Sequence, residues 1–273
     1  MNFTNPNTDI IKDKKLFVFD MDGTIYLGGK PFDFAIRFIK NLRKNGKKVL
    51  FFTNNASHTV PFYMKKLERL GFEPQADEIL TSGDVTYEFL KRHRAGKSVY
   101  LVATDELVEE YRAKGIKLLD GSEEKADIVI TSFDTSLTYE KLDNACRFVR
   151  GGAEYLSTHP DYNCPTETGF IPDSGAIAAF VTASTGKTPT YFGKPYKETV
   201  EMISEATGYT NDEMCIFGDR LYTDIALGKK FGVTAVLVLS GETQPDDVDA
   251  AETCDKPDFA FDSLADVDKI MFG

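Results

Sequence analysis

The chain has 273 residues, 42% apolar and 27% charged, which excludes a disordered polymer and supplies one or two packed domains without disulfide staples. A balance of 32 basic against 43 acidic residues gives a formal charge of -11 with no basic block. Binding along a nucleic-acid backbone is therefore disfavoured, whereas a small phosphorylated ligand held by one buried lysine stays open.

Apolar runs alternate with helical patterns from end to end. Leu16-Phe17-Val18-Phe19 reads as a strand, Asp33 to Lys44 as an amphipathic helix, and Val49-Leu50-Phe51-Phe52 as the next strand. The rhythm continues through Val99 to Val102, Ile128 to Ile130, Met214 to Phe217 and Ala235 to Leu239. Strands this uniformly apolar are buried on both faces, so the expected fold class is α/β, a doubly wound, Rossmann-like parallel sheet. The polar signals at strand ends stop near Thr81 and resume near Gly193. The stretch between has its own strand and helix alternation, which predicts a core domain of residues 1–81 plus 186–273 and an inserted smaller α/β domain of residues 82–185.

The first eleven residues lack the charged-then-apolar layout of a secretory signal, and no window holds about 18 uninterrupted apolar residues. A soluble cytoplasmic protein without membrane contact is expected. Cys146, Cys164, Cys215 and Cys254 are scattered with no C-x-x-C pair, so no disulfide framework is expected.

In such sheets ligands bind beyond the carboxyl ends of the strands, which directs attention to the turns there. Asp20-Met21-Asp22-Gly23-Thr24 follows the first strand. Alternate residues of an extended segment face one side, so Asp20 and Asp22 can serve one site, and Gly23 lets backbone approach a ligand. A plain Asp-Gly turn would account for the same residues. Asp219 and Asp224 follow the strand at 214–217, where helix capping is the ordinary alternative. Acids on two neighbouring strand ends repel unless a cation lies between them, and carboxylates with a backbone carbonyl and water are magnesium ligands. Thr53, followed by Asn54 and Asn55, offers a hydroxyl at a third strand end, or else a helix cap and turn. Lys194, between Gly193 and Pro195, is either a solvated lysine or the positive charge that three carboxylates and a phosphate would require.

Other chemistries fail on spacing. Gly96-Lys97-Ser98 and Gly186-Lys187-Thr188 end like a phosphate-binding loop, but Lys91 and Val181 stand where its first glycine is required. No G-x-G-x-x-G follows a strand, no G-x-S-x-G occurs, and His58, His93 and His159 are too dispersed for a zinc site.

With these four strand-end signals in order, the sequence resembles the haloacid dehalogenase-like superfamily, and within it the NagD-like or p-nitrophenylphosphatase group with a type II, subclass A cap inserted between the second and third signals. The resemblance implies a magnesium-dependent phosphomonoester hydrolase acting on a small phosphorylated metabolite. It implies Asp20 as nucleophile, Asp22 as general acid and base, and Gly23, Thr53, Asn54, Asn55 and Lys194 around the phosphate. Magnesium would be held by Asp20, Asp219 and the Asp22 carbonyl, with Asp224 supporting. Dehalogenating relatives would lack the acid at Asp22, and ion pumps would add membrane spans. A phosphotransferase using the same aspartyl-phosphate, or a noncatalytic metabolite-binding protein, are the alternatives. Specificity is expected in the insertion, at His159, Asp161 and Asn163 or in the segment from Gly169 to Gly175, and a homodimer through the insertion is allowed for.

Overall fold

Four consecutive apolar residues, Leu16–Phe19, all buried, form the strand around which the first part of the molecule is built. The computed structural model describes residues 7–166, 168–252 and 255–273. Within it the chain divides into two units, one running through Thr53, resuming over Met64–Leu80 and again over Lys194–Gly273, the other comprising Asn54–Tyr63 and Thr81–Gly193.

The first unit carries a six-stranded sheet in the order Phe259–Phe261, Thr234–Val238, Met214–Gly218, Leu16–Phe19, Lys48–Thr53, Ile79–Thr81. The pairings from Phe259–Phe261 through Lys48–Thr53 are parallel. Asp33–Lys44 is a helix with Ala35, Phe38, Ile39 and Leu42 buried at the spacing of a single face, and Arg43 and Lys44 favour its negative end. Phe38 meets the rings of Phe17, Phe19 and Phe217 edge-on at centroid distances of 6.4, 6.0 and 6.0 Å. Phe217 stacks on Phe19 at 5.0 Å. Each ring removed from water contributes roughly 1.5–3 kcal/mol, so this aromatic layer under the central strands fixes their relative heights.

The second unit carries its own parallel five-stranded sheet, ordered Thr190–Tyr191, Glu154–Ser157, Ile128–Thr131, Ser98–Val102, Lys117–Leu118. Helices Ser82–His93, Asp105–Ala113, Tyr139–Arg150 and Ser174–Thr185 alternate with it. Ser82–His93 starts on a reciprocal cap in which Thr81 N–H donates to Asp84 Oδ2 at 3.0 Å and Asp84 N–H donates to Thr81 Oγ1 at 3.2 Å. An antiparallel hairpin, Asn163–Thr166 with Gly169–Pro172, leaves Phe170 exposed.

These units depart from the expected division in two places: Asn54–Tyr63 groups with the insertion and not with the core, and the return to the core lies past residue 185. Gly186 is the left-handed cap of Ser174–Thr185, and the chain then adds Thr190–Tyr191 to the second sheet, Phe192 N–H donating to Ser157 O at 3.0 Å. Phe192 packs against Phe89 at 4.7 Å, so residues 186–193 belong with the insertion and the division falls at Gly193. A two-residue edge strand carries too little periodicity to show this in sequence. Cys146 and Cys215 are free thiols, and Cys254 lies outside the described residues. Among the described residues no helix is long and apolar enough to cross a membrane.

Candidate active site

Register brings the signals of the first unit together. Phe19 pairs level with Phe51 on one side and with Phe217 on the other, so Asp20 leaves the sheet at the height of Phe52 and Gly218, and Thr53 and Asp219 follow one residue later. From the central strand the chain proceeds outward through Lys48–Thr53 and Ile79–Thr81, then returns to the opposite side with Met214–Gly218. The order of strands therefore reverses between Leu16–Phe19 and Met214–Gly218, and a crevice for ligands opens at the carboxyl ends of such a pair. Asp20 and Asp219 stand on its two sides.

Asp20, Asp219 and Asp224 each offer an oxygen, all within 4.8 Å of one another. Lys194, 2% exposed, forms ion pairs with Asp20 and with Asp224, the latter at 2.6 Å. Its peptide bond to Pro195 is cis. Burial pushes the Asp20 carboxyl well above the ordinary range; Lys194 opposes this, while Asp224 and Asp219 add to it. Burial, and after it Asp224, push Asp219 up to about 7. Burial works against the charge on Lys194, but Asp20 and Asp224 outweigh it and hold the ammonium above its usual value. Asp219 Oδ2 accepts from Glu242 N–H at 2.7 Å, whereas Oδ1 is buried with no hydrogen-bond donor. A Cβ at Gly23 or at Gly241 would run into this carboxylate. Three acids around one lysine, one of them with a bare buried oxygen, are a donor set suited to a hard divalent cation. Neither Asp219 nor Asp224 caps a helix. Asp224 sits inside the turn Leu221–Ile225, facing Lys194.

Asp22 lies two residues past Asp20 and is held by Tyr26, whose hydroxyl donates to Oδ2 at 3.1 Å. Burial raises its pKa, with Lys66 the main opposing influence. Gly23 takes φ +88°, open to glycine, but its amide donates to Tyr26 O at 2.8 Å and its carbonyl accepts from Ser240 Oγ at 2.7 Å. It provides space rather than a donor. Thr53 is buried at the end of its strand.

The remaining expected residues belong to the second unit. Asn54 Nδ2 donates to Asp161 Oδ2 at 3.2 Å, and Asn55 Oδ1 accepts from Ser57 Oγ at 2.6 Å. His159 is fully buried, Nε2 lying 2.8 Å from Asp173 Oδ1 and Nδ1 lying 2.9 Å from Thr158 Oγ1 and 3.2 Å from Ser82 Oγ. Asp161 is buried, and Asn163 alone of the three is exposed. Ser240, Gly241 and Glu242 were not foreseen, although they follow the apolar strand Thr234–Val238 and so occupy a fourth strand end beside the site. Tyr222, exposed, donates to Glu242 Oε1 at 2.9 Å.

Residues 17–117 match the haloacid dehalogenase-like hydrolase model, and residues 191–267 match a HAD-hydrolase-like model. An acid sugar phosphatase of Staphylococcus saprophyticus is 33% identical over 259 residues, 95% of this chain and 98% of that one. The crystal structure of a 4-nitrophenylphosphatase from Thermotoga maritima superposes with a TM-score of 0.90 at 40% identity, covering 96% of this chain and 99% of the other. A glycerol phosphate phosphatase of Mycobacterium tuberculosis, in complex with magnesium, has a TM-score of 0.88 at 27% identity, covering 96% and 79%. The chain belongs to the haloacid dehalogenase-like hydrolases, in the group of NagD-like and p-nitrophenylphosphatase proteins.

Proposed function

We propose that the chain, a phosphomonoester hydrolase by its family and relatives, cleaves small phosphorylated metabolites through a phosphoryl group carried on Asp20. The convergence of Asp20, Asp219 and Asp224 around the buried Lys194 carries the reading. Asp20 attacks phosphorus as the bond to the leaving oxygen breaks, and Asp22 gives that oxygen a proton. Water, deprotonated by Asp22, then displaces Asp20 and releases inorganic phosphate. Lys194 keeps its proton and supplies positive charge, and Thr53 offers its hydroxyl to a phosphate oxygen.

Magnesium fits the acid cluster, where Asp20, Asp219 and the Asp22 carbonyl would hold it and Asp224 would support them through Lys194. When bound it supplies charge neutralisation of the phosphoryl oxygens. Small monoesters as substrates are supported by the relatives, which are named for sugar phosphates, 4-nitrophenyl phosphate and glycerol phosphate. Discrimination among them is assigned to the insertion, with Asn163 presenting its side chain and the buried His159 and Asp161 holding the loop.

Asp20→Asn is expected to abolish hydrolysis of 4-nitrophenyl phosphate in magnesium while the melting temperature stays near that of the parent. A variant with parental turnover would overturn the assignment.

A further inference from the structure

Lys66 lies on the helix Val60–Arg69 and matches none of the strand-end signals, yet its side chain is only 17% exposed. Its ammonium sits 4.0 Å from the centre of the Tyr26 ring and 3.8 Å from Asp22 Oδ2. Tyr26 donates its hydroxyl to that same oxygen at 3.1 Å, and Tyr26 itself is fully buried. A cation over an aromatic face is attracted to it, the more so where water is scarce. The ring thus holds the ammonium while the hydroxyl holds the carboxylate, and both groups converge on one oxygen of Asp22. An exposed lysine needs no such seat, and although Asp22 also accepts a backbone bond from Gly28, a turn alone would not require the side-chain partners that Tyr26 and Lys66 supply.

We propose that Lys66, seated on Tyr26, is a positioning residue that fixes the orientation of the Asp22 carboxyl for proton delivery to the leaving group. The inference rests on the reading of Asp22 as general acid. Asp22 must meet the leaving oxygen only while the ester bond breaks, and a side chain left to rotate would miss that geometry in most encounters. Lys66 touches neither phosphorus nor the leaving oxygen in this account. Its effect scales with how much the leaving group needs a proton.

The test is the leaving-group dependence of kcat/KM, which reports the steps up to release of the alcohol, for phenyl phosphate and 4-nitrophenyl phosphate. The two are nearly the same shape, but nitrophenolate departs readily without a proton and phenolate does not. In Lys66→Met, kcat/KM for phenyl phosphate is expected to fall about tenfold further than for 4-nitrophenyl phosphate, a part of the effect typical of general acid catalysis. Lys66→Arg should restore most of the difference. Tyr26→Phe, which removes only the hydroxyl, should reproduce it in weaker form and serves if Lys66→Met is poorly folded. Asp22→Asn is run beside them to separate the two claims. A steep dependence in Asp22→Asn with equal losses on both esters in Lys66→Met and Tyr26→Phe overturns the role of Lys66 alone. Equal losses on both esters in Asp22→Asn overturn the reading of Asp22 as acid and the inference with it.

Discussion

Asp224 Oδ1 lies 2.6 Å from Lys194 Nζ, and neither side chain is more than 2% exposed. A buried charge stripped of its partner is costly, because desolvation is no longer offset.

Lys194→Met should therefore lower unfolding free energy by about 3–5 kcal/mol, read from urea denaturation without added metal. Asp224→Asn in the same background should cost less than it does alone, since the carboxylate it removes has already lost its partner. Strictly additive losses would mean that the two side chains are energetically independent.

Magnesium is expected to raise the melting temperature of the parent by about 5 °C at a hundredfold excess over its dissociation constant. The bare buried oxygen of Asp219 makes that residue the critical one. Asp219→Ala should lose the increment, whereas Asp127→Asn, in the second unit, should keep it. Calorimetric scans with and without the ion decide the matter, and an undiminished rise in Asp219→Ala would remove it from the ligand set.

Asp127 accepts from Ser98 N–H at 2.8 Å and Ser98 Oγ at 2.9 Å, with Lys97 at 3.3 Å. The Ser98 backbone bond, foremost, then the Ser98 hydroxyl and Lys97, hold its carboxyl down to about 2. A folded value below the unfolded one means the contribution is full above about pH 5, declines as the unfolded chain takes up its proton near its ordinary value of about 4, and is lost as pH falls through about 2. The melting-temperature difference between the parent and Asp127→Asn should accordingly shrink between about pH 5 and about pH 2. A constant difference across that range would show that the carboxylate is not responsible.

Leu16–Phe19 and Asp33–Lys44 could be read from sequence to the residue, because an unbroken apolar run and a clean helical face admit few alternatives. Asp20, Asp219 and Lys194 each have a structural reading in the sequence, as turn, cap or solvated lysine, and what set them apart was their recurrence at successive strand ends, which the sheet order brings together. Thr190–Tyr191 and Phe259–Phe261 were not legible, being too short to show a period, and Glu154–Ser157, as long as Leu16–Phe19, was hidden because Glu154 and Ser157 leave only Tyr155 and Leu156 as an apolar run. His159 illustrates the opposite difficulty. A polar loop punctuated by Pro160 looks solvent-facing, but hydroxyls of Ser82 and Thr158 and the Asp173 carboxylate satisfy its ring and let it be buried. Lys66 had no sequence signal at all, since its meaning depends on a ring forty positions away in the chain being underneath it.

The central strand also sets a timetable. Leu16, whose carbonyl meets the Cys215 thiol, is 199 positions from it in the chain. A growing polypeptide therefore carries Asp20 and Asp22 long before it carries Lys194, Asp219 or Asp224, while the insertion, whose contacts are nearly contiguous, can close as soon as it emerges. Until Met214–Gly218 slots beside Leu16–Phe19, that strand has an open, apolar, unpaired side, the kind of edge that invites intermolecular pairing. A chain cut short of Met214–Gly218 would lack Asp219 and Asp224 and would keep that apolar edge open, so the strand that completes the acid cluster is also the one that closes the sheet.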